Sequence, residues 1–243
     1  MKLRFLGTRG YIKARTERHY MHASLLVSYR GTDLMLDCGE DWLEKIGGMN
    51  PGAIFITHAQ SDHAWGLKKG APCPVYGTEE TWQNIGNFDI AQDRRVLIEK
   101  RKPIDFHGMT VEAFPVEHST RAEAVGYRIS ASGATIFYVP DVVYIHDRNE
   151  ALSGVQLYVG DGATIVRSMV RKPGEKLIGH TPIRTQLTWC QKEGVPRAVF
   201  SHCGSEIVEG DERIVEDKVR ELARQRGIEA QIAYDGMEVE VRT

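Results

Sequence analysis

Apolar and polar positions alternate from the start of the chain: Lys2-Leu3-Arg4-Phe5-Leu6 predicts a strand with one buried face. Strand patterns follow at Ser24 to Ser28 and Leu34 to Asp37, while Ala53 to Thr57 is apolar enough for a strand covered on both faces. Gly7, Gly31 and the Gly47-Gly48 pair separate these runs. A short helix is expected over Ala64 to Lys69, and a second from a Thr78 cap through Trp82 to Ile85. Strands then fit Val111 to Val116, Ala124 to Ser130, Ala134 to Val139 and Val155 to Val159. Thr181-Pro182 supplies an N-cap and first-turn proline for a helix to about Lys192, stopped at Gly194. The strand Ala198-Val199-Phe200 runs to His202, and Asp211 caps an amphipathic helix with Ile214, Val215, Val219, Leu222 and Ala223 on one face. Gly227 closes that helix, and Asp235-Gly236 predicts a terminal hairpin.

Composition narrows this picture. With 243 residues, 42% hydrophobic and 26% charged, the chain supports one substantial α/β domain, and no repeat or linker argues for dividing residues 1–243. The start lacks a secretory apolar core, and no segment approaches the roughly 20 apolar residues of a membrane span. Cys38, Cys73, Cys190 and Cys203 are too scattered for a paired zinc spacing or a disulfide framework. These features predict a cytoplasmic protein with reduced thiols and no membrane partner. A net charge of −2 argues against coating nucleic acid by bulk electrostatics. The basic cluster of Arg9, Lys13, Arg15, Arg18, His19 and His22 is read as a solvated loop in preference to a phosphate-steering rim.

The candidate chemistry lies in His58-Ala59-Gln60-Ser61-Asp62-His63, at the exit of the apolar strand. Two imidazoles and a carboxylate so close together can converge on a cation. The stretch resembles the His-x-His-x-Asp-His signature of the metallo-β-lactamase-fold hydrolases, with Gln60 in place of the middle histidine. Four further places match that family: Asp37 in Leu34-Met35-Leu36-Asp37-Cys38-Gly39, His118 in Pro115-Val116-Glu117-His118-Ser119, Asp141 after Phe137-Tyr138-Val139-Pro140, and His202 after Val199-Phe200-Ser201. The resemblance implies a four-layered αβ/βα sandwich with metals at one edge of two facing sheets. It assigns His58, His118 and Asp141 to one metal, where Gln60 replaces a histidine, and Asp62, His63, His202 and Asp141 to the other, with Asp37 supporting the ligands from behind. A neutral amide is a poorer zinc donor than imidazole and suits harder cations better, so one or two zinc ions are expected and manganese or iron is admitted.

A bound cation lowers the pKa of water, and a pair of cations stabilises in-line displacement, so hydrolysis by metal-bound hydroxide is the expected reaction. Asp141 stands where the zinc β-lactamases carry cysteine, which argues against antibiotic hydrolysis. Ile178-Gly179-His180-Thr181-Pro182 resembles the glycine-histidine-serine/threonine element of the phosphodiesterase and tRNA 3′-processing branch, and Phe200-Ser201-His202-Cys203-Gly204 resembles its cyclic-phosphate phosphodiesterases. His180, just ahead of a helix N-terminus, is a candidate to protonate a leaving oxygen or bond a phosphate oxygen, and Asp62 is counted with it as catalytic. The basic, glycine-rich arm of the tRNA-processing enzymes is missing: between Trp65 and Lys102 there is only a modest group, Arg94, Arg95, Lys100, Arg101 and Lys102, which also suits a solvated edge strand. The expected substrate is a small or cyclic phosphodiester and not a large structured RNA; the alternatives are a lactonase or thioesterase, or a non-catalytic metal- or nucleotide-binding module degenerate at Gln60. Domains of this fold often associate, so a homodimer stays open. Asp161 could support the site from behind, but Asp161-Gly162 is read as a turn in preference, and Cys203 as buried filler.

Overall fold

Leu3 and Phe5 point inward while Lys2 and Arg4 point out, and the same period of two carries apolar side chains to the inner faces of two sheets. The computed structural model describes residues 1–119, 123–172, 174 and 177–242. The strands are β1 (Lys2–Gly7), β2 (Ser24–Tyr29), β3 (Thr32–Leu36), β4 (Ala53–Phe55), β5 (Val75–Gly77), β6 (Arg95–Leu97), β7 (Ile104–Phe106) and β8 (Met109–Glu117). They continue with β9 (Ala124–Ala131), β10 (Ala134–Tyr138), β11 (Tyr144–Ile145), β12 (Leu157–Asp161), β13 (Arg197–Ser201), β14 (Glu229–Ile232) and β15 (Glu238–Glu240). The α-helices are α1 (Ser61–Ala64), α2 (Glu79–Ile85), α3 (Arg148–Leu152), α4 (Ile183–Lys192), α5 (Ser205–Val208) and α6 (Glu212–Arg224).

One sheet runs β15-β1-β2-β3-β4-β5-β6 and the other β11-β8-β9-β10-β12-β13-β14, with β7 paired to β8. Leu3, Phe5, Val27, Leu36 and Phe55 of the first pack against Val111, Tyr127, Ile129 and Tyr138 of the second. Behind the first sheet, Met35, Ile54 and Ile56 pack with Leu67, Ile85 and Phe88. Behind the second, Phe137, Tyr158 and Phe200 cluster with Leu187 of α4 and Val215, Val219 and Ala223 of α6. The order helix, sheet, sheet, helix is the expected four-layered αβ/βα sandwich.

Several local expectations change. The first helix begins at Ser61, because the Gln60 carbonyl accepts from the His63 and Ala64 amides; a 3₁₀ turn at Trp65–Leu67 replaces the expected helix to Lys69. Pro182 is itself the N-cap of α4, and the Thr181 hydroxyl donates to the Val143 carbonyl at 2.7 Å. Ile214 is 69% exposed although Val215, Val219 and Ala223 of the same helix are buried. The terminal hairpin does not form: β14 pairs parallel to β13 and β15 pairs antiparallel to β1, so Asp235-Gly236 crosses between sheets. The Asp235 carboxylate fixes that crossing by accepting from the Thr8 hydroxyl and the Tyr20 and Met21 amides. Among the described residues no helix is long and apolar enough to cross a membrane.

The Thr8 hydroxyl gives its proton to Asp235 and lies 2.8 Å from Nδ1 of buried His19. Burial, helped by the nearby Arg18 charge, lowers the His19 pKa to about 4. Because the folded-state value lies below the unfolded value of about 6.5, the stability it carries is complete above pH 6.5 and is lost as pH falls towards 4. Denaturant unfolding at pH 7 and 4.5 is expected to show wild type losing about 1–2 kcal/mol more than His19→Gln on acidification. Equal losses would show that His19 does not titrate in this window.

Candidate metal centre

Because β3 and β4 are parallel neighbours, their ends bring Asp37 and His58 to one edge of the first sheet. Asp37 adopts a left-handed conformation (φ 60°), rare for a non-glycine residue, with its amide donating to the Phe55 carbonyl. Its carboxylate accepts from the Thr57 amide at 2.8 Å, the Thr57 hydroxyl at 2.9 Å and His63 Nδ1 at 2.9 Å. This contact fixes the His63 ring and leaves Nε2 for another partner, the carboxylate–histidine device common behind metal ligands.

The opposite sheet supplies the rest. β10, β12 and β13 are parallel, so Asp141, Asp161 and His202 leave the same ends of neighbouring strands, and His118 follows β8. His63 Nε2 lies 2.7 Å from Asp141 Oδ2 and 3.2 Å from Asp62 Oδ2. His202 Nε2 lies 3.1 Å from Asp62 Oδ2 and its Nδ1 3.2 Å from Asp141 Oδ1. On the other side of Asp141, His58 Nε2 lies at 3.6 Å and His118 Nδ1 at 3.9 Å. His58 Nε2, His63 Nε2, Asp141 Oδ1 and His202 Nδ1 are buried with no hydrogen bond of acceptable geometry. Orphaned buried polar atoms cost about 1–3 kcal/mol each, and these converge as the donors of a cation would. Three ligand-type groups share Asp141, one with Asp62, His63 and His202, one with His58 and His118, and one with Asp161, His180 and His202, so the residues present fit a divalent metal.

The charge balance agrees. Burial alone would raise the Asp62 and Asp141 pKa values, but the surrounding imidazoles hold both carboxyls well below the usual range. Burial and the neighbouring His63 keep His58 low and neutral, as a metal ligand must be. Burial opposes charge on His202 too, yet Asp141, Asp161 and Asp62 raise it to about 9. The carboxylates thus call for positive charge beside them, which a divalent cation would supply.

Gln60 is half-buried and lines the cavity of about 680 Å³ that opens over the cluster, with Asp62, His118, Asp141, His180 and His202 also in its wall. His180 joins the group, but an acid and not the dipole of α4 holds it: Nδ1 lies 2.8 Å from Asp161 Oδ2 and 3.1 Å from Asp141 Oδ1. Against burial, those carboxylates raise its pKa to about 11. Asp161 is therefore no surface turn: it is fully buried and also accepts from the Val142 and Ala163 amides. The signal was a strand ending in aspartate, as at Asp141, obscured by the turn-like Asp-Gly pair. Cys203 is buried, as expected.

The basic loop is solvated only in part: Lys13 and Arg15 are exposed as expected, but three other members of the cluster are buried. Arg9 is 2% exposed, and its guanidinium donates to Asp41 at 2.6 Å, to the Ile12 carbonyl at 2.6 Å and to the Tyr20 carbonyl at 3.1 Å. His19 and His22 are buried as well. This internal ion pair folds residues 10–12 over the cavity.

The chain belongs to the family described as the beta-lactamase superfamily domain, whose sequence model matches residues 32–203. This is a metallo-hydrolase superfamily whose fold implies a divalent metal, and the His/Asp cluster is a group of side chains that could hold one. Ribonuclease Z of Methanococcus aeolicus is 31% identical over 144 residues, 49% of this chain and 44% of its own length. The chain spans about half the length of the ribonuclease Z relatives that it matches at 26–31% identity. The metallo-beta-lactamase fold protein YhfI from Bacillus subtilis superposes with a TM-score of 0.76 at 16% identity, covering 98% of both chains. A diphosphatase from the PhnP family gives 0.70 at 18% identity, covering 99% of this chain and 98% of its own.

Removing one partner of a buried ion pair leaves an uncompensated charge, which costs about 3–5 kcal/mol. Asp41→Ala is expected to lower unfolding free energy by about that amount, and Arg9→Met combined with Asp41→Leu to recover most of it. A loss below about 1 kcal/mol in the single variant would mean the pair is not the anchor of this loop.

Proposed function

We propose that the protein is a metal-dependent phosphodiesterase acting on small phosphodiesters. The observation that carries this reading is the hydrogen-bonded His180–Asp161 pair set against the shared ligand Asp141. Asp62, His63, His202 and Asp141 would hold one cation; His58, His118 and Asp141 would hold another, with Gln60 where the family signature has an imidazole. Bound there, the metal would supply Lewis acidity and a water of lowered pKa. With Nδ1–H engaged by the carboxylates, Nε2 of His180 is left for substrate. It can donate a hydrogen bond to a phosphate oxygen as charge builds, or a proton to the leaving oxygen. Asp161 keeps the ring in that orientation, and Asp37 does the same for His63.

The phosphorus–oxygen chemistry is supported by the names of the relatives, a ribonuclease Z and a diphosphatase. Small substrate size is supported by the basic group expected to matter least. Arg94 and Arg95 donate to backbone carbonyls, Lys100 pairs with Glu80 and Glu123, Arg101 with Glu112, Asp147 and Glu150, and Lys102 with Glu99. Guanidiniums and ammoniums so engaged have little left for an RNA backbone.

The test is hydrolysis of bis(4-nitrophenyl) phosphate by enzyme loaded with zinc or manganese, alongside lactone, thioester and β-lactam reporters. Phosphodiester turnover that stops on chelation is expected; turnover confined to the other esters would overturn the reading. His180→Ala is expected to lower kcat at least tenfold at constant metal content. Unchanged kcat would remove His180 from the mechanism.

A further inference from the structure

The cavity over the metal cluster has a second half that the hydrolytic chemistry does not use. Its mouth carries Tyr11, 67% exposed, Ile12, and Met169, 44% exposed, together with Arg167. Arg167 is the one lysine or arginine in the cavity wall among the described residues, and its guanidinium has no hydrogen-bond or ion-pair partner among them. Both rims are pinned from below. Arg9 holds the Ile12 carbonyl, and the Gly10 amide donates to the Cys203 carbonyl at 3.0 Å. The loop runs so close over the cluster that a Cβ on Gly10 would lie 3.1 Å from His202 Cε1. Across the cavity, the Thr164 hydroxyl donates to the Arg167 carbonyl at 2.9 Å. The Glu206 carboxylate accepts from the Ile165 amide at 3.1 Å and pairs with Lys218 at 2.7 Å.

An aromatic ring and a thioether held at the mouth of a metal-centred cavity offer a flat apolar surface to a planar group. A guanidinium on the same wall with no partner among the described residues offers the charge-assisted donor fork that suits a phosphate. The other ionisable wall residues include the carboxylates Asp62, Asp141 and Glu206, which would repel such an anion. The Tyr11 ring stacks at 6.3 Å on His22, so an aliphatic phosphodiester would leave its outer face uncovered, and a neutral aromatic ester would leave the guanidinium idle. We infer that this cavity selects substrates in which a nucleobase-like aromatic group lies next to the phosphate, with Tyr11 stacking the ring and Arg167 pairing with the phosphate charge. The inference deepens the phosphodiesterase reading and rests on it for the reaction, though not for the binding preference.

Adenosine 5′-monophosphate and ribose 5-phosphate share a phosphate and differ by the base, so calorimetric titration of the metal-loaded protein with each isolates the stacking contribution. Wild type is expected to bind the nucleotide at least tenfold more tightly. Tyr11→Ala should bring the two within threefold and Tyr11→Phe should keep the preference; Arg167→Ala should weaken both about tenfold and Arg167→Lys restore part of that. Equal binding of the two probes by wild type, or a preference that survives Tyr11→Ala, overturns the Tyr11 assignment, and unchanged affinities in Arg167→Ala overturn the Arg167 assignment. Bis(4-nitrophenyl) phosphate turnover in the same samples separates the two claims. Turnover without nucleotide preference sinks this inference alone, whereas nucleotide preference without turnover sinks the phosphodiesterase reading and leaves the pocket assignment in place.

Discussion

Asp62, Asp141 and Asp161 are each at most 3% exposed and share the same few imidazoles, and negative charge at that density is not held in a low-dielectric edge without positive charge beside it. Much of the local architecture follows from that constraint. Histidines from both sheets surround the carboxylates, orphaned nitrogen and oxygen atoms face one another, and the carboxylates push the pKa values of His63, His180 and His202 upward against burial. A divalent cation resolves the same electrostatic problem with better geometry, which is why the cluster reads as a metal centre and not as a buried ion-pair network.

The sandwich makes the cluster affordable in conformational terms. Ligands leave the ends of strands locked on both faces by apolar packing, so little of their position is left to loop entropy. Behind them stand residues that touch no substrate: Asp37 orients His63, Asp161 orients His180, and Arg9 pulls the first loop across the cavity mouth. The ligand sphere, the residues that aim it and the loop that roofs it are parts of one edge.

Much of this was legible in the sequence because the strongest signals are local. Long alternating or apolar runs marked β1, β8, β9 and β10, and the His58 to His63 motif places its ligand types within a single turn of chain. What was illegible depended on distant partners. Strands β5, β6 and β7 are three residues each, too short for periodicity to register. Asp235-Gly236 is a turn by its own chemistry, yet only pairing with β13 on one side and β1 on the other decides that it bridges two sheets. Arg9 looks solvated in a loop rich in basic residues, and its burial is set by Asp41, 32 positions away. Asp161 hid behind a glycine that makes any aspartate look like a turn.

The central claim is that Asp62, His63, His202 and Asp141 bind a transition metal. The most direct measurement is anomalous diffraction from crystals of protein purified without chelator, with data collected on both sides of the zinc and manganese absorption edges. A peak bounded by those four side chains, with or without a weaker one beside His58 and His118, is the predicted result. A folded protein with no anomalous density there, its imidazoles still paired with the carboxylates, would contradict the account.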